Sequence, residues 1–371
     1  PEDFNNADDV APTTGAKNGL KLKDMVGVDY NDAQWDTFLD QLTVADMDSL
    51  IALGGYQSVA VDSIGKVQAV DCDGPASINN NFTKQGSIGF PSAVMIAATW
   101  NTDLAHDFGT SIGKMADDMD VSGWYAPAMN IHRSAFAGRN FEYYSEDGVL
   151  SGAMAANAIM GSQEQGVYAF MKHFALNDQE TNRCGMLCTW SNEQAIREIY
   201  LKPFEQCVKA ADCHAVMSSF NYIGNTYAGN CSALLNDVLR GEWGFKGLES
   251  QDFIMNPNYA VLKEYALNGG TMTTFTGENT MAAVSEKFAY WTTENVGQDT
   301  ELMSAIKQAM TWQAYALANS NALDGMASST RLVSVRTWYD NALVAVQVVF
   351  AALTVLAAAM YVLNDRKSKK Q

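Results

Sequence analysis

VYAFMKHF, residues 167–174, is a short apolar run that ends in two polar side chains, Lys172 and His173. A run of this length, bounded by turn residues, is typical of a buried strand. We predict a strand here and at each further run of the same kind, namely 67–71 (VQAVD), 93–99 (AVMIAAT), 124–130 (WYAPAMN), 215–221 (AVMSSFN), 247–253 (GLESQDF) and 269–275 (GGTMTTF).

Longer amphipathic stretches separate these runs. Residues 101–119 follow the second run in the chain, 146–163 follow the third, and 192–210 follow the fourth. Strands that alternate with helices indicate a parallel α/β fold. About seven such repeats favour a (β/α)8 TIM-like barrel over an open sheet, so we predict this barrel for residues 20–330. The chain has no GxGxxG motif after a strand and no GxxxxGK[ST] motif, so nucleotide binding has no support.

Polar residues cluster where the apolar runs end. The catalytic groups of a barrel lie at the C-terminal ends of its strands, so this clustering predicts a site there. A single Asp or Asn in such a place is explained equally well as a helix cap, and only the repetition favours a site. The residues concerned are Asp71, Asp73, Asn130, His132, Lys172, His173, Asn221 and Asp252.

The charge balance excludes some classes of function. The chain has 24 Lys and Arg against 42 Asp and Glu, a net charge of −18, so we expect no nucleic-acid partner. Four histidines and the CxxxC spacing of Cys184 and Cys188 match no standard zinc pattern, so we expect no metal and no cofactor. We interpret the six cysteines mostly as small buried residues; one or two disulfides remain an alternative if the domain is extracytoplasmic.

The two ends of the chain differ from its middle. Residues 1–19 are rich in Asp, Asn, Thr and Gly, which is typical of a linker, and we expect more protein upstream of them. Residues 342–363, ALVAVQVVFAALTVLAAAMYVL, carry no charge. As a helix of about 33 Å they would cross the hydrocarbon core of a bilayer, and the alternative is a buried core helix.

The flanks of this apolar segment support a membrane helix. Trp338 and Tyr339 precede it and Tyr361 lies near its far end, as in an aromatic belt. The tail, residues 364–371, has four basic residues and one acidic residue. We therefore predict a juxtamembrane segment at 331–341, a transmembrane helix at 342–363 and a cytoplasmic basic tail, with the barrel outside the cytoplasm.

Seven segments in a fixed order resemble the barrel domain of family 3 glycoside hydrolases, and in particular its β-glucosidases. The resemblance extends over about residues 40–275, and long motifs in a fixed order are far more specific than any short signature. The segments are DGPA (73–76), FPSAVMIAATWN (90–101), NIHRSAFAGRNFEYYSED (130–147), KHFALNDQETNR (172–183), NEQAIREIYLKPFE (192–205), MSSFN (217–221) and EWGFKGLESQDF (242–253).

The resemblance implies a retaining exo-β-glycosidase, most simply a β-glucosidase. It makes Asp252 the nucleophile that forms a glycosyl-enzyme intermediate. It also implies that seven residues bind the sugar or line its cleft, namely Asp73, Arg139, Lys172, His173, Arg183, Met217 and Phe220. Cations near a nucleophilic carboxylate favour its ionised form, so Lys172, Arg139 and Arg183 suit that role.

The chain departs from the family pattern near the nucleophile. Gln251-Asp252-Phe253 replaces Ser-Asp-Trp, Phe220 replaces a usual Tyr, and Gly270-Thr271-Met272 replaces Gly-Thr-Asp. The DGPA motif continues with Ser77 instead of an arginine-containing turn. In particular, Phe253 lacks the indole that supports the sugar ring in this family, although the nucleophile itself is present.

The general acid is the largest gap in the resemblance. In most family 3 β-glucosidases it is a Glu on an α/β sandwich domain, and no such domain follows the barrel here. We expect this acid/base Glu on an upstream domain or on another chain, and we expect an oligomer. Glu142, Glu146 and Glu180 are better interpreted as partners of arginines.

Two other functions remain open at this point. The first is a β-xylosidase or another family 3 glycosidase, because the residues of the sugar pocket do not decide the sugar. The second is a membrane-tethered carbohydrate-binding protein with impaired catalysis, which Phe220 and Phe253 suggest. The N-acetylglucosaminidase branch is disfavoured, because its KHFPGHG-like loop is replaced after Phe174 by Ala-Leu-Asn.

Overall fold

The computed structural model describes residues 10–254, 258, 260–274, 280–324, 326, 330, 333 and 336–368. The chain divides into two compact units, Pro1–Ser328 and Ser329–Gln371. The first unit contains all of the strands of the described chain, and the second contains a single long helix.

The first unit is built on a mostly parallel sheet. Its strands are β1 (Gln57–Ser58), β2 (Ala69–Asp73), β3 (Gly123–Tyr125), β4 (Tyr168–Phe174), β5 (Cys188–Thr189), β6 (Ala215–Ser218), β7 (Tyr222–Ile223), β8 (Thr226–Tyr227) and β9 (Leu248–Gln251). The main sheet has the order β1-β2-β3-β4-β6-β9, in which only β1 is antiparallel to its neighbour. The short strands β5, β7 and β8 form a separate sheet.

Backbone contacts at the two edges of the main sheet close it into a ring. Beyond β9, Ser250 forms a parallel bridge with Met272. The next residue, Thr273, accepts a hydrogen bond from the Gly55 N–H at 2.9 Å, and its own N–H donates to Ile51 O at 2.9 Å. Residues 51–56 lead into β1, so the edges meet and the fold is a TIM-barrel-like α/β fold. The described main sheet has six strands, fewer than the eight of the predicted (β/α)8 barrel. The strand predicted at 269–275 is reduced to the bridge at Met272, and residue 275 lies outside the described residues.

Helices surround the ring. They are α1 (Gln34–Leu39), α2 (Val44–Ala52), α3 (Ala93–Ala97), α4 (Thr102–Asp117), α5 (Gly148–Gln163), α6 (Glu193–Ala195), α7 (Lys202–Ala211), α8 (Leu262–Leu267), α9 (Met281–Lys287), α10 (Thr293–Gln298) and α11 (Thr300–Ala318), with π-helical segments at Ile196–Tyr200 and Ala233–Glu242. Short 3₁₀ turns lie at Leu22–Met25, Asp62–Ile64, Arg183–Gly185, Ala228–Asn230 and Asn321–Leu323.

Two of the predicted helices begin at side-chain caps. Asn101 Oδ1 accepts the Asp103 N–H at 2.9 Å and begins α4, and Asp147 Oδ1 accepts the Val149 N–H at 2.7 Å and begins α5. Both helices lie within two residues of the predicted spans 101–119 and 146–163. These caps satisfy N–H groups that have no partner inside the helix.

The strand predicted at 93–99 is wrong, because the segment forms helix α3. Ser92 is extended, with φ −63° and ψ 156°, and the chain turns helical at Ala93. A short apolar run cannot be assigned to a strand or a buried helix by periodicity alone, and this run contains three alanines, the best helix formers.

The core of the unit consists of two apolar clusters. One packs α1, α2 and α8 to α11 against the ring, and the other packs α3, α4, α5 and α7 against it. Helices α4 and α5 approach each other at glycines: a Cβ atom on Gly109 would lie 2.0 Å from Ala158 O, and one on Gly161 would lie 2.2 Å from His106 O. Only a residue without a side chain permits this backbone contact.

The N-terminal segment is partly attached to the barrel. Residues 1–9 of the predicted linker lie outside the described residues. Residues 10–19 form no helix or strand, but Gly15 N–H donates to Leu42 O at 3.0 Å and Ala16 N–H donates to Asp40 O at 2.8 Å. Lys307 Nζ also donates to Thr13 O at 3.0 Å, so the end of this segment lies against the first unit.

The second unit contains helix α12 (Trp338–Ser368). Its first 26 residues, Trp338–Leu363, have a mean hydropathy of 2.4 over their most apolar window, and none of that window is buried. The predicted transmembrane segment falls within this helix. The predicted basic tail, residues 364–371, lies outside the residues whose side chains the structure describes.

Candidate active site

A small cavity of about 160 Å³ lies where the C-terminal ends of the parallel strands converge. It contains all eight residues that the sequence assigned to the site. Typical pockets for larger organic ligands measure about 300–1,000 Å³, so this cavity suits a single ring. Its lining residues are Tyr56, Asp73, Tyr125, Arg139, Lys172, His173, Arg183, Met217, Phe220, Asp252, Phe253 and Thr274.

Asp73 and Lys172 form an ion pair between β2 and β4, which lie on either side of β3 in the sheet. Asp73 ends β2, and Lys172 projects from β4 and donates from Nζ to Asp73 Oδ1 at 2.9 Å. Burial raises the pKa of Asp73, but Lys172, the Gly74 N–H and Arg139 together more than offset this effect, so that the pKa lies below its ordinary value. Asp73 is therefore an ionised acceptor at neutral pH.

His173 is buried next to this pair and is neutral. Its backbone is held by Asn130, which accepts the His173 N–H at 2.8 Å and donates to His173 O at 2.9 Å. Burial, followed by the charges of Arg139, Lys172 and Arg183, holds the pKa of His173 well below its ordinary value. Its Nδ1 atom is buried and has no hydrogen-bond partner among the described residues.

Two arginines converge on the cavity from loops after β3 and β4, and Glu180 lies between them. Arg183 donates from Nε to Glu180 Oε2 at 2.8 Å, and Arg139 Nη1 lies 3.9 Å from Glu180 Oε1. Arg139 also donates from Nε to Glu142. The Arg183 guanidinium lies 4.7 Å from the centroid of the Phe220 ring, which is the wall of the cavity on that side.

Asp252 directly follows β9 and is 8 % exposed. Its Oδ1 accepts the Phe253 N–H at 2.8 Å, and its Oδ2 lies 3.9 Å from both His173 Nε2 and Arg183 Nη1. Burial raises the pKa of Asp252, and Arg183, the Phe253 N–H, Lys172 and Arg139 offset only part of that increase. The cations favour the ionised form, as the sequence indicated, but burial outweighs them.

Four cavity residues were not among the eight assigned to the site from the sequence, namely Tyr56, Tyr125, Phe253 and Thr274. Tyr56 has a positive φ of 59°, and its N–H donates to the Tyr125 hydroxyl at 2.8 Å. Its ring lies 5.7 Å from that of Phe253, tilted by 32°. Phe253, which replaces the expected Trp, thus forms one aromatic wall with Tyr56.

Within the described residues, the cavity offers no second carboxyl group suited to donate a proton. Among its lining residues, only Asp73 and Asp252 carry carboxyl groups, and Asp73 is held ionised by Lys172. Glu142 and Glu180 bind the arginines, as interpreted from the sequence. None of the six cysteines forms a disulfide, and within the described residues no cluster of His, Cys, Asp and Glu could hold a metal ion.

Comparison with known proteins gives matches to a family model and to several β-glucosidases. Residues 67–271 match the glycosyl hydrolase family 3 N terminal domain. A β-glucosidase of Rhizobium radiobacter is 40% identical over 222 residues, which cover 59% of this chain and 27% of that protein. β-Glucosidase A of Butyrivibrio fibrisolvens is 38% identical over 229 residues, again covering 59% of this chain and 27% of that protein.

Solved structures of similar proteins agree with the fold. β-Glucosidase 3B of Thermotoga neapolitana, in complex with α-D-glucose, has a TM-score of 0.69 and 32% sequence identity, covering 78% of this chain and 43% of that one. A β-glucosidase of Paenibacillus barengoltzii has a TM-score of 0.74 and 26% identity, covering 85% of this chain and 36% of that one. The chain thus spans about a quarter of the length of the sequence relatives and less than half of these structures.

Proposed function

This chain belongs to glycoside hydrolase family 3, and on that premise we propose that it is the barrel part of a retaining exo-β-glucosidase. The observation that carries the proposal is the position of Asp252. Its carboxylate ends β9 inside a cavity of single-ring size and faces His173 and Arg183 at 3.9 Å. A carboxylate in such a place can attack the anomeric carbon of a terminal β-linked glucose and form a glycosyl-enzyme intermediate.

The remaining polar groups would bind the sugar. Ionised Asp73 accepts hydrogen bonds from hydroxyls, while Lys172 and Arg139 donate them. His173 and Arg183 line the same cavity, and His173 Nδ1 and Arg183 Nη1 have no hydrogen-bond partner among the described residues. Met217 and Phe220 would form the apolar wall of the cleft.

The general acid is proposed to come from outside the described residues. Retaining glycosidases need a second carboxyl group about 5–5.5 Å from the nucleophile to protonate the leaving oxygen. Asp73 cannot serve, because Lys172 stabilises its ionised form. We place the acid/base Glu on an α/β sandwich domain upstream of the barrel or on a partner chain.

The location of the enzyme is also part of the proposal. Within helix α12, the stretch Trp338–Leu363 is unburied and is long and apolar enough to cross a membrane, which supports a membrane anchor. The basic residues of the tail favour a cytoplasmic C-terminus, with the barrel on the opposite side of the membrane.

Covalent trapping tests the nucleophile without the missing acid. Dinitrophenolate leaves without protonation, so 2,4-dinitrophenyl 2-deoxy-2-fluoro-β-D-glucoside needs only the attacking carboxylate. Asp252 Oδ would bond to the anomeric carbon, the bond to the phenolic oxygen would break, and the fluorine would slow hydrolysis of the adduct. We expect one fluoroglucosyl group per chain, located on Asp252 by peptide mapping, and more than a thousandfold slower labelling of Asp252→Asn, as an order of magnitude.

Other outcomes distinguish the alternatives. Faster labelling by the corresponding 2-fluoroxyloside would identify a β-xylosidase. Labelling at a residue other than Asp252 would contradict the assignment of the nucleophile. If neither sugar labels the folded chain, the carbohydrate-binding protein with impaired catalysis becomes the better description.

A further inference from the structure

Asp71 is a buried carboxyl group that has no part in the proposed sugar site. It lies in β2 two residues before Asp73, so both side chains point to the same side of the strand, into the ring. Asp71 is 2% exposed and is not among the described residues that line the cavity. In the neighbouring strand it faces Gly123, where an added Cβ atom would lie 2.1 Å from Asp71 Oδ1. The ring therefore leaves space for a carboxyl group beneath the cavity.

The Asp71 carboxyl group interacts with two tyrosine hydroxyls. Its Oδ1 accepts a hydrogen bond from the Tyr168 hydroxyl at 2.6 Å. Burial raises the pKa of Asp71 to about 7. Hydrogen bonding by Tyr168, the charge of Lys66 and hydrogen bonding by Tyr125 oppose this increase, in that order. Of the two tyrosines, Tyr125 is the one that lines the cavity, so it links Asp71 to the site.

Tyr125 and Asp71 together hold Tyr56. The Tyr56 N–H donates to the Tyr125 hydroxyl at 2.8 Å, and Tyr56 O accepts the Asp71 N–H, also at 2.8 Å. These two bonds fix a backbone with a φ of 59°, which residues other than glycine rarely adopt. The centroid of the Tyr56 ring lies 5.1 Å from that of Tyr125 and 5.7 Å from that of Phe253. The place of Tyr56 in the aromatic wall therefore depends on Asp71 and Tyr125.

The direction of the Tyr125 hydroxyl decides how well it holds Tyr56. A phenolic hydroxyl has one proton to donate, and its oxygen accepts hydrogen bonds through lone pairs. When the proton points to the Asp71 carboxylate, the lone pairs remain available for the Tyr56 N–H. Thr274 also hydrogen-bonds Tyr125, so the hydroxyl has a second partner if the carboxylate is lost. Hydrogen bonds to a charged acceptor are stronger than those to a neutral one, which favours the direction that Asp71 sets.

We propose that Asp71 is a positioning residue: its carboxylate orients the Tyr125 hydroxyl, which in turn holds Tyr56 at the cavity. The inference rests on the proposed function, because the wall that Tyr56 and Phe253 form would then contact the terminal sugar. Asp71 itself touches no substrate and acts through Tyr125. Loss of its carboxylate should therefore weaken sugar binding more than it slows the attack by Asp252.

The kinetics of labelling of the full chain by 2,4-dinitrophenyl 2-deoxy-2-fluoro-β-D-glucoside separate these two effects. The concentration that gives the half-maximal labelling rate reports binding, and the maximal rate reports the attack. Asp71→Asn should raise the half-maximal concentration about tenfold and change the maximal rate by less. Tyr125→Phe, which keeps the ring, should act in the same way. The double variant should be no weaker than Tyr125→Phe, because Asp71 acts through the hydroxyl that this substitution removes.

Calorimetric titration with D-glucose is a second readout that needs no reaction. Asp71→Asn and Tyr125→Phe should each weaken glucose binding about tenfold, and the double variant should show no further loss. If Asp71→Asn does not fold, Asp71→Ser, which has a smaller polar side chain, replaces it with the same expected results.

Asp48→Asn is the matched control. Asp48 is 1% exposed, and its Oδ2 accepts the Thr293 hydroxyl at 2.6 Å, the same distance as between Asp71 and Tyr168. It lies in α2 and is not among the described residues that line the cavity. The same substitution there should leave both readouts unchanged. Melting temperatures of all variants show whether they are folded.

The outcomes separate this inference from the proposed function. If the chain is labelled at Asp252 but Asp71→Asn leaves the half-maximal concentration unchanged, the positioning role is wrong and the nucleophile stands. If Asp48→Asn has the same effect as Asp71→Asn, or if the effects of Asp71→Asn and Tyr125→Phe add, Asp71 only stabilises the fold and the positioning role is again wrong. If glucose binding depends on Asp71 as expected but no labelling occurs, the positioning role stands and the nucleophile is wrong. If glucose does not bind and no labelling occurs, both proposals fail.

Discussion

Two opposing electrostatic effects act on the pKa of the Asp252 carboxyl group. Removal from water favours its protonated form, and the positive charges around it favour its ionised form. Burial is the larger effect, so the pKa lies above the ordinary value for a carboxyl group. Among the opposing groups Arg183 contributes most, at 3.9 Å from Oδ2. We therefore expect Arg183 to set the pH range in which the nucleophile is available.

Removal of the Arg183 charge should narrow the pH range in which Asp252 is ionised and can be labelled. Trapping requires ionised Asp252, so its rate falls as the pH decreases through the pKa of Asp252. Arg183→Gln removes the largest influence that lowers this pKa, so the pKa rises and the acidic limb of the rate profile moves to higher pH. The measurement is the rate of fluoroglucoside labelling as a function of pH.

Arg183→Lys is the control for this experiment, because it keeps the charge. Its acidic limb should stay closer to that of the unmodified chain than the limb of Arg183→Gln. An acidic limb that moves to lower pH in Arg183→Gln would contradict the assigned role of this arginine.

At the residue scale, the sequence predicted the polar part of the site better than its aromatic wall. Asp73, Lys172 and Asp252 end or follow parallel strands, and the ends of parallel strands meet at one edge. Tyr56 was missed because it precedes an antiparallel strand and depends on a positive φ that no motif indicates for a tyrosine. Tyr125 lay in a predicted strand, but the direction of its side chain depends on register, which the sequence alone does not specify.

At the element scale, the close backbone contact between helices α4 and α5 at Gly109 can be tested with a single substitution. Gly109→Ala would place a Cβ atom 2.0 Å from Ala158 O, a backbone atom that cannot rotate away. The helices would have to separate, and overpacking of this kind costs about 1–3 kcal/mol. We expect the free energy of unfolding to fall by about that amount in urea denaturation, despite the higher helix propensity of alanine.

Gly297→Ala is the matched control, because Gly297 is also helical, in α10. The nearest atom to its added Cβ would be Val44 Cγ1 at 3.6 Å, an ordinary contact. Here the propensity gain should dominate and stabilise the chain by up to about 1 kcal/mol. Equal changes in the two variants would show that the close approach at Gly109 does not limit packing.

The long helices were predicted well from the sequence, and the short helices and strands were not. Helices α4 and α5 have 16 residues each, longer than a typical strand, and both begin at side-chain caps, at Asn101 and Asp147. Helix α3 has only five residues, too few to distinguish a helical from an extended period. Strands β5, β7 and β8 have two residues each and were not predicted, because two residues show no alternation.

At the scale of the whole molecule, the length of the apolar segment in α12 predicts whether the chain inserts into a membrane or stays in solution. Leu353 and Leu356 lie near the middle of the apolar segment, and both are exposed. A lysine at the centre of a membrane helix costs about 2.5–3.5 kcal/mol, so Leu353→Lys with Leu356→Lys should abolish stable insertion. We expect the unmodified chain to remain in the membrane pellet after an alkaline carbonate wash and the double lysine variant to appear in the supernatant.

The double variant Leu353→Ala with Leu356→Ala controls for the loss of the two leucines, because it keeps the segment free of charge. It should remain in the pellet, since a helix of this length still spans the hydrocarbon core without a charged centre. A chain cut after Thr337 should leave the membrane entirely. If that shortened chain stays in the pellet instead, the barrel itself binds the membrane surface, and α12 is not required as the anchor.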